Sequence, residues 1–415
     1  MLQTMHRRVM QMTGCIVLIV LTTTFTVLTG QRKTEYADFV RLQSTFLKYS
    51  RSNKFNVTME TTGQQKLQIP TLKRSDTRVE TYSNNHQQQH QKKEVRHIGF
   101  LKVHKAASST MQNIFFRFGL KRNLTYIFTE HPNYFSRSAE MHLPLVKPRY
   151  RNGYDILCNH GVFNYDIYSS LLPKDTVYLG IVRDPLAVFI SAVNYYSQES
   201  QQIDYIAQIT GNRLQELIQR PEVYDREFFS YTKNVMSRDF GFPETNNRNH
   251  TIAKLKELGL IFKLVLLVEH FEESLILMKR YLSWKLRDIL FLSNNAYGKG
   301  QTGEDLTLND TKKFKLRNQL DYALYIFFYK KFWVQYNSET DDINSEVKHF
   351  KSVLFDLNTF CNNKAHENDI SVLTVKESKW TEQFVLIFED CKYMNKDELE
   401  FIKLLRQKQG SELYD

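Results

Sequence analysis

A short stretch, "HKAASST", brings together side chains that suit an anion. It follows the apolar run "HIGFLKV" and precedes apolar residues at helical spacing, so it occupies a turn between a strand and a helix. Helix-start N–H groups attract anions, small residues let a phosphate approach, and the lysine adds charge. Serine capping beside a solvated lysine is the alternative, and the Walker A pattern is absent. The residues predicted to bind a phosphate are Lys105, Ala106, Ala107, Ser108, Ser109 and Thr110.

A second stretch, "TVYLGIVRDPLAVFISAVNYYS", predicts another anion site. Arg183 follows an apolar run, and Ser191 lies eight positions further on, within the helix that follows. A guanidinium binds phosphate through two parallel hydrogen bonds, and a serine hydroxyl can complete the site. Two such sites at the ends of two strands indicate a ligand with two separated phosphates. A strand-end arginine beside a buried helical serine is the structural alternative.

Together the two motifs resemble the sulfotransferases that use 3′-phosphoadenosine 5′-phosphosulfate (PAPS). In those enzymes a strand–loop–helix with Lys-[Ser/Thr]-[Gly/Ala]-[Ser/Thr]-Thr holds the 5′-phosphosulfate. An arginine, followed eight residues later by a serine, holds the 3′-phosphate. Lys105 to Thr110 match the first element, with Ala106 in place of the usual hydroxyl residue, and Arg183 and Ser191 match the second.

The resemblance narrows to the galactose-3-O-sulfotransferase family. It covers roughly residues 95 to 335 and is carried by "FLKVHKAASSTMQNIFFRFG", "CNHGVFN", "VRDPLAVFISAVNYY", "EHFEESLILMKRYLSWKLRDIL" and "LDYALYIFFYKKFW". It implies a P-loop-like sulfotransferase fold and transfer of a sulfonate group from PAPS, by in-line displacement. The implied acceptor is a galactose hydroxyl, the 3-hydroxyl, of a glycolipid or glycoprotein glycan. It also implies a Golgi membrane location and no required metal.

Sugar hydroxyls are poor nucleophiles, so a general base is expected. His160 in "CNHGVFN" is the first candidate, because it follows an apolar strand and related carbohydrate sulfotransferases carry a histidine in the comparable segment. A structural histidine is its alternative. His104 is the second candidate, with Glu269 and His270 behind it. Lys105 is expected to stabilise the charge that develops on the donor.

The elements that must position these residues follow from four apolar runs, "HIGFLKV", "YDILCN", "TVYLGIV" and "FKLVLLV". Such runs are typical of strands buried on both faces. Amphipathic stretches alternate with them, which predicts an α/β fold with a parallel sheet flanked by helices. Asp184 and Pro185 suit a helix start, and Gly119 suits a helix end. "FKLRNQLDYALYIFFYKKFW" reads as one long helix.

The N-terminal part predicts a membrane anchor. Residues 9–30 are uncharged and long enough to cross a bilayer as a helix. A signal anchor is favoured over a cleaved signal peptide because the run exceeds a usual signal core. The predicted order is a cytoplasmic tail at 1–8, the anchor at 9–30, a flexible lumenal stem at 31–95, a catalytic domain at 96–340 and a C-terminal elaboration at 341–415.

Cysteines and sequons agree with a lumenal domain. Cys361 and Cys391 are the expected disulfide, which leaves Cys158 as a buried thiol. The chain shows no Cys-x-x-Cys spacing, and no metal site is expected. The glycosylation sequons begin at Asn56, Asn123, Asn249 and Asn309.

Composition separates the remaining function classes. The 415 residues contain 56 Lys and Arg against 45 Asp and Glu, a net charge of +11 that suits an anionic ligand or a membrane surface. Nucleic acid is not expected, because the chain has no basic helix, zinc pattern or RNA-binding aromatic motif. A kinase is not expected, because it would need a P-loop and a magnesium carboxylate and neither is evident. One alternative is a Golgi glycosyltransferase, although the chain lacks the Asp-x-Asp pattern with which many of those enzymes hold a metal. The other alternative is a non-catalytic lumenal glycoprotein on the same fold. The oligomeric state is left open.

Overall fold

The structure is a computed structural model that describes residues 93–131, 133–149, 153–198, 203–225, 230–243, 247–293, 302–340, 342–363 and 371–410. The predicted tail, the anchor and all but the last residues of the predicted stem lie outside the described residues. None of the helices in the described ranges is both long and apolar enough to cross a membrane.

Eight strands occur in the described part. In chain order they are β1 (Ile98–Phe100), β2 (Phe128–Thr129), β3 (Leu145–Val146), β4 (Ile156–Leu157), β5 (Val177–Val182), β6 (Leu264–Leu267), β7 (Val372–Val375) and β8 (Phe384–Ile387). Four of them form a parallel sheet in the order β4-β1-β5-β6. The pairs β2–β3 and β7–β8 are antiparallel.

The parallel sheet confirms the strand predictions. Its four strands are the four apolar runs, and every residue of β1 and β6 is buried. Successive strand residues point to opposite faces, so both faces of this sheet are covered. The carboxyl ends of β1, β4 and β5 therefore meet at one edge.

The helices fill the connections between these strands. In chain order they are α1 (Ser108–Arg122), α2 (Tyr165–Leu171), α3 (Pro185–Tyr196), α4 (Asp204–Ala207), α5 (Arg213–Gln219), α6 (Pro221–Tyr224), α7 (Val235–Asp239), α8 (Arg248–Ile261), α9 (Phe271–Leu282), α10 (Leu308–Arg317), α11 (Gln319–Asn337), α12 (Ile343–Asn362), α13 (Phe388–Met394) and α14 (Glu398–Lys408).

Helix α3 starts as predicted, but α1 ends later than predicted. The Asp184 carboxylate accepts the N–H of Ala187 at 3.0 Å, which caps α3. Helix α1 continues past Gly119 to Arg122, and Asn123 takes the left-handed conformation that ends it. Gly119 serves a packing need instead, because a Cβ there would lie 2.2 Å from the hydroxyl of Tyr126.

The predicted single long helix is wrong, since Asn318 separates α10 from α11. The Asn318 backbone leaves the helical region at φ −110° and ψ 37°. Its side chain donates to the Phe314 carbonyl at 3.1 Å and accepts the N–H of Asn234 at 2.7 Å. A buried asparagine that bonds neighbouring main chain competes with the helical ladder.

The C-terminal part packs onto the sheet-bearing part. Glu346 of α12 accepts hydrogen bonds from Lys279 and Arg280 of α9 at 2.7 and 2.6 Å. Cys361 and Cys391 form a disulfide between α12 and α13, and Cys158 is a buried thiol.

Candidate active site

The loop after β1 turns sharply into α1. Lys105 and Ala107 both adopt left-handed backbone conformations, with φ of 57° and 52°. The Ser108 hydroxyl donates to the Val103 carbonyl at 2.6 Å and fixes the turn. Non-glycine residues adopt this conformation mainly where surrounding structure imposes it. The loop thus presents the first N–H groups of α1, a 15-residue helix, at the carboxyl edge of the sheet.

Arg183 joins the two predicted phosphate sites. Its guanidinium donates to the main-chain carbonyl of Lys105 at 3.1 Å, although the two residues are 78 positions apart. Burial lowers the pKa of Arg183, while the carboxylates of Glu269 and Asp184 act in the opposite direction. Ser191 is half-buried on α3, the helix that begins directly after Arg183.

The Lys105 side chain lies over an aromatic ring of α3. Its Nζ is 3.3 Å from the centroid of the Tyr195 ring, one turn beyond Ser191. Burial, followed by the positive charges of Arg183 and Lys102, lowers the pKa of Lys105 to about 8. An anion placed among these cations would offset their repulsion.

His160 presents one ring nitrogen to the edge of the sheet. Its Nδ1 donates to the Lys102 carbonyl at 3.1 Å, because a carbonyl oxygen can only accept. The neutral ring therefore carries its lone pair on Nε2. Burial, then the charge of Lys102 and that of His104, holds the pKa of His160 well below its usual value. The ring is thus an unprotonated acceptor at neutral pH.

His104 stacks on His160, with ring centroids 4.2 Å apart. The Asp239 carboxylate accepts both the main-chain N–H and the Nδ1–H of His104 at 2.8 Å. These two hydrogen bonds to Asp239, on α7, anchor the loop that carries Lys105. The Tyr134 hydroxyl lies 3.5 Å from His104 Nε2. The structure therefore brings together both histidines that the sequence proposed.

Several site residues carry no sequence signal of their own. Asp239 lies 135 positions from His104, in a helix without a recognisable motif. Lys102 lies within an apolar run, so the sequence gives no sign of its polar contacts. Its Nζ donates to Gln112 at 2.7 Å and to Asn133 at 3.3 Å. Tyr231 lies near His104, with ring centroids 6.2 Å apart. Only contacts between distant segments reveal these residues.

Three of the four predicted sequons begin at surface positions of the described part. Asn123, Asn249 and Asn309 are exposed, while Asn56 lies outside the described residues. Their glycosylation stays a prediction. Within the described ranges, no three His, Cys, Asp or Glu side chains are grouped to hold a metal ion.

Comparison with known proteins places this site in a family. The family model described as galactose-3-O-sulfotransferase matches residues 1–380. The chain belongs to the galactose-3-O-sulfotransferase family. The galactosylceramide sulfotransferase of Homo sapiens is 34% identical over 251 residues, which are 57% of this chain and 57% of that protein. The matched segment thus spans little more than half the length of the human relative.

Two other relatives carry the family name itself. Galactose-3-O-sulfotransferase 3 of Mus musculus is 30% identical over 249 residues, 57% of this chain and 56% of that protein. Galactose-3-O-sulfotransferase 2 of Mus musculus is 30% identical over 289 residues, 64% of this chain and 70% of that protein. The family membership agrees with the α/β architecture and its parallel sheet.

Proposed function

We propose that this chain transfers a sulfonate group from PAPS to the 3-hydroxyl of a galactose residue on a glycolipid or a glycoprotein glycan. The observation that carries the proposal is the hydrogen bond from Arg183 to the Lys105 carbonyl, 3.1 Å long. It brings the two predicted anion-binding elements into contact, and ligands of open α/β folds bind at this edge of the sheet. A donor with a 5′-phosphosulfate and a 3′-phosphate carries two anionic groups for these elements.

The donor contacts follow from the two elements. The loop from Lys105 to Thr110 and the start of α1 would hold the 5′-phosphosulfate, while Arg183 and Ser191 would hold the 3′-phosphate. When the acceptor oxygen bonds to sulfur, the bond from sulfur to the bridging oxygen breaks, and adenosine 3′,5′-bisphosphate leaves. Lys105 stabilises the negative charge that develops on the bridging oxygen.

The base accepts the proton of the acceptor hydroxyl. We assign this role to His160, because its half-buried ring carries the lone pair on Nε2 and stays unprotonated at neutral pH. His104 is the competing base. Its ring and main chain are both bound to Asp239, which suits an anchor of the donor loop. PAPS use and the histidine base are parts of this proposal.

The location is also part of the proposal. The uncharged segment at residues 9–30, the sequons and the cysteine pair support a single-pass type II protein of the Golgi membrane with a lumenal catalytic part.

Sulfonate transfer by the full chain in detergent tests the proposal. The chain is incubated with radiolabelled PAPS and galactosylceramide, a glycan with terminal galactose, or glucosylceramide as the control for sugar identity. Label is expected in a galactose acceptor and not in glucosylceramide, and Lys105→Ala is expected to abolish it. Absence of label from every acceptor, with a chain that shows cooperative unfolding, would refute the proposal.

A further inference from the structure

Helix α14 brings a carboxylate to the donor loop. Glu398, the first residue of α14, accepts a hydrogen bond from the Ser109 hydroxyl at 2.9 Å. Its other oxygen forms an ion pair with the Lys102 ammonium. Ser109 belongs to the predicted phosphosulfate loop, and Lys102 lies three residues before Lys105. One carboxylate therefore joins Ser109, within that loop, to Lys102, on the segment that leads into the loop.

Lys102 needs this carboxylate because its ammonium is buried. The residue has 0% exposure. Its other acceptors, the side-chain oxygens of Gln112 and Asn133, are neutral amides. A buried charge that loses its counter-ion is strongly destabilising, since the amide oxygens solvate it without neutralising it. Glu398 supplies the negative charge that keeps Lys102 in this place.

Lys102 in turn holds the segment that carries the candidate base. Its main-chain carbonyl accepts the Nδ1–H of His160 at 3.1 Å. Its partner Gln112 donates to the Cys158 carbonyl at 2.9 Å and to the Asn159 side chain at 2.8 Å. The two residues directly before His160 are thereby fixed by the same buried network. A shift of Lys102 would displace the imidazole.

Helix α14 is itself held against the site. The Phe401 ring packs on Phe116 of α1, with centroids 5.3 Å apart, and Arg406 donates to the Thr129 carbonyl. The family model matches residues 1–380, so α14 lies beyond the matched part. Its contribution to the site is visible in the structure alone.

We propose that Glu398 is a positioning residue of the active site. It neutralises Lys102 and fixes Ser109, so that the Lys102 carbonyl orients the His160 ring relative to the donor loop. This inference depends on the proposed sulfonate transfer. Through Glu398, the C-terminal helix, which the sequence presents as an elaboration, supports the active site.

Kinetics of Glu398→Gln in the full chain test the inference. The variant keeps the size of the side chain and removes the charge. The control is Glu400→Gln on the same helix, where the side chain is 71% exposed. We expect Glu398→Gln to lower kcat by about 10- to 100-fold with the acceptor KM changed less than about threefold. The control is expected to match the wild type.

A double variant tests whether Glu398 acts through the charge of Lys102. Glu398→Gln combined with Lys102→Gln removes both charges and leaves two amides that can bond each other. Because the uncompensated charge is gone, we expect the double variant to recover kcat to within about fivefold of the wild type, well above either single variant. If the single variants do not fold, the double variant alone is compared with the wild type.

The outcomes distinguish this inference from the function on which it depends. An active wild type with Glu398→Gln as active as Glu400→Gln overturns the inference alone. So does a folded double variant that stays as impaired as the singles or, where these do not fold, remains about tenfold or more below the wild type. A wild type that transfers no sulfonate overturns the proposed function, and the inference with it.

Discussion

Replacement of His160 by alanine is the perturbation that tests the mechanism most directly. The ring donates a hydrogen bond to the Lys102 carbonyl at 3.1 Å and stacks on His104, both of which lie before the donor loop. The predicted phosphate-binding groups, Lys105 and Arg183, lie on other segments. His160→Ala should therefore leave donor affinity nearly unchanged. Turnover should fall by about 10²- to 10⁴-fold, the usual contribution of a general base.

The structure also fixes the direction of the pH dependence. A base works unprotonated, so the rate falls as the pH drops through its pKa. Burial, the charge of Lys102 and that of His104 lower the pKa of His160. The acid limb of the wild-type rate should therefore lie below about pH 6.5, the value of an unperturbed histidine.

The assay measures radiolabel transfer across pH, and calorimetry with adenosine 3′,5′-bisphosphate measures donor-site affinity. His160→Ala should lack the acid limb, whereas His250→Ala, an exposed histidine of α8, should keep it. Loss of the limb in His104→Ala, with the limb retained in His160→Ala, would transfer the role to His104. Normal profiles and turnover in both variants would refute a histidine base. Glu269, whose carboxylate accepts the Asp184 N–H at 2.7 Å, would be tested next.

Four further predictions concern the donor site and the compartment. Arg183→Ala should weaken adenosine 3′,5′-bisphosphate binding by roughly 2–4 kcal/mol and leave adenosine 5′-phosphate binding nearly unchanged in calorimetry; equal losses would make Arg183 structural. Because the pKa of Lys105 is lowered to about 8, its charge is lost as the pH rises through 8, and bisphosphate affinity should decline there in the wild type but not in Lys105→Arg. Removal of the disulfide by Cys361→Ser with Cys391→Ser, which opens a loop with a sequence separation of 30, should lower the free energy of unfolding by about 3–4 kcal/mol in denaturant titrations. Endoglycosidase should reduce the apparent mass of the cell-expressed chain, and the triple variant Asn123→Gln, Asn249→Gln, Asn309→Gln should show a smaller shift; an unchanged wild-type mass would contradict a lumenal domain.

The meeting of Lys105 to Thr110 with Arg183 could be predicted from sequence because both signals are local. Lys105 to Thr110 directly follow an apolar strand, and Arg183 directly follows another. Parallel strands place their carboxyl ends at one edge, so two local signals predict one site. The positions of the four parallel strands and the Asp184 cap follow from equally short-range patterns.

The residues that support the site could not be predicted in the same way. Asp239 meets His104 across 135 positions, and Glu398 meets Lys102 across 296. A single carboxylate on a helix reads as a solvated surface charge until the fold supplies its partner. The error at Asn318 has the same origin, because its bond to the Asn234 N–H spans 84 positions and overrides the local helical pattern.

Charge links the supporting residues to the proposed chemistry. Lys102 and His104 have carboxylate partners in Glu398 and Asp239. Lys105 lies over the Tyr195 ring, and burial, followed by the positive charges of Arg183 and Lys102, lowers its pKa. The two anionic groups of a donor would offset the repulsion among these cations. Because such a ligand binds the folded chain and not the unfolded chain, a concentration 100 times its Kd would stabilise the fold by about 2.7 kcal/mol. The same cations that select the donor would thus couple its binding to the stability of the domain.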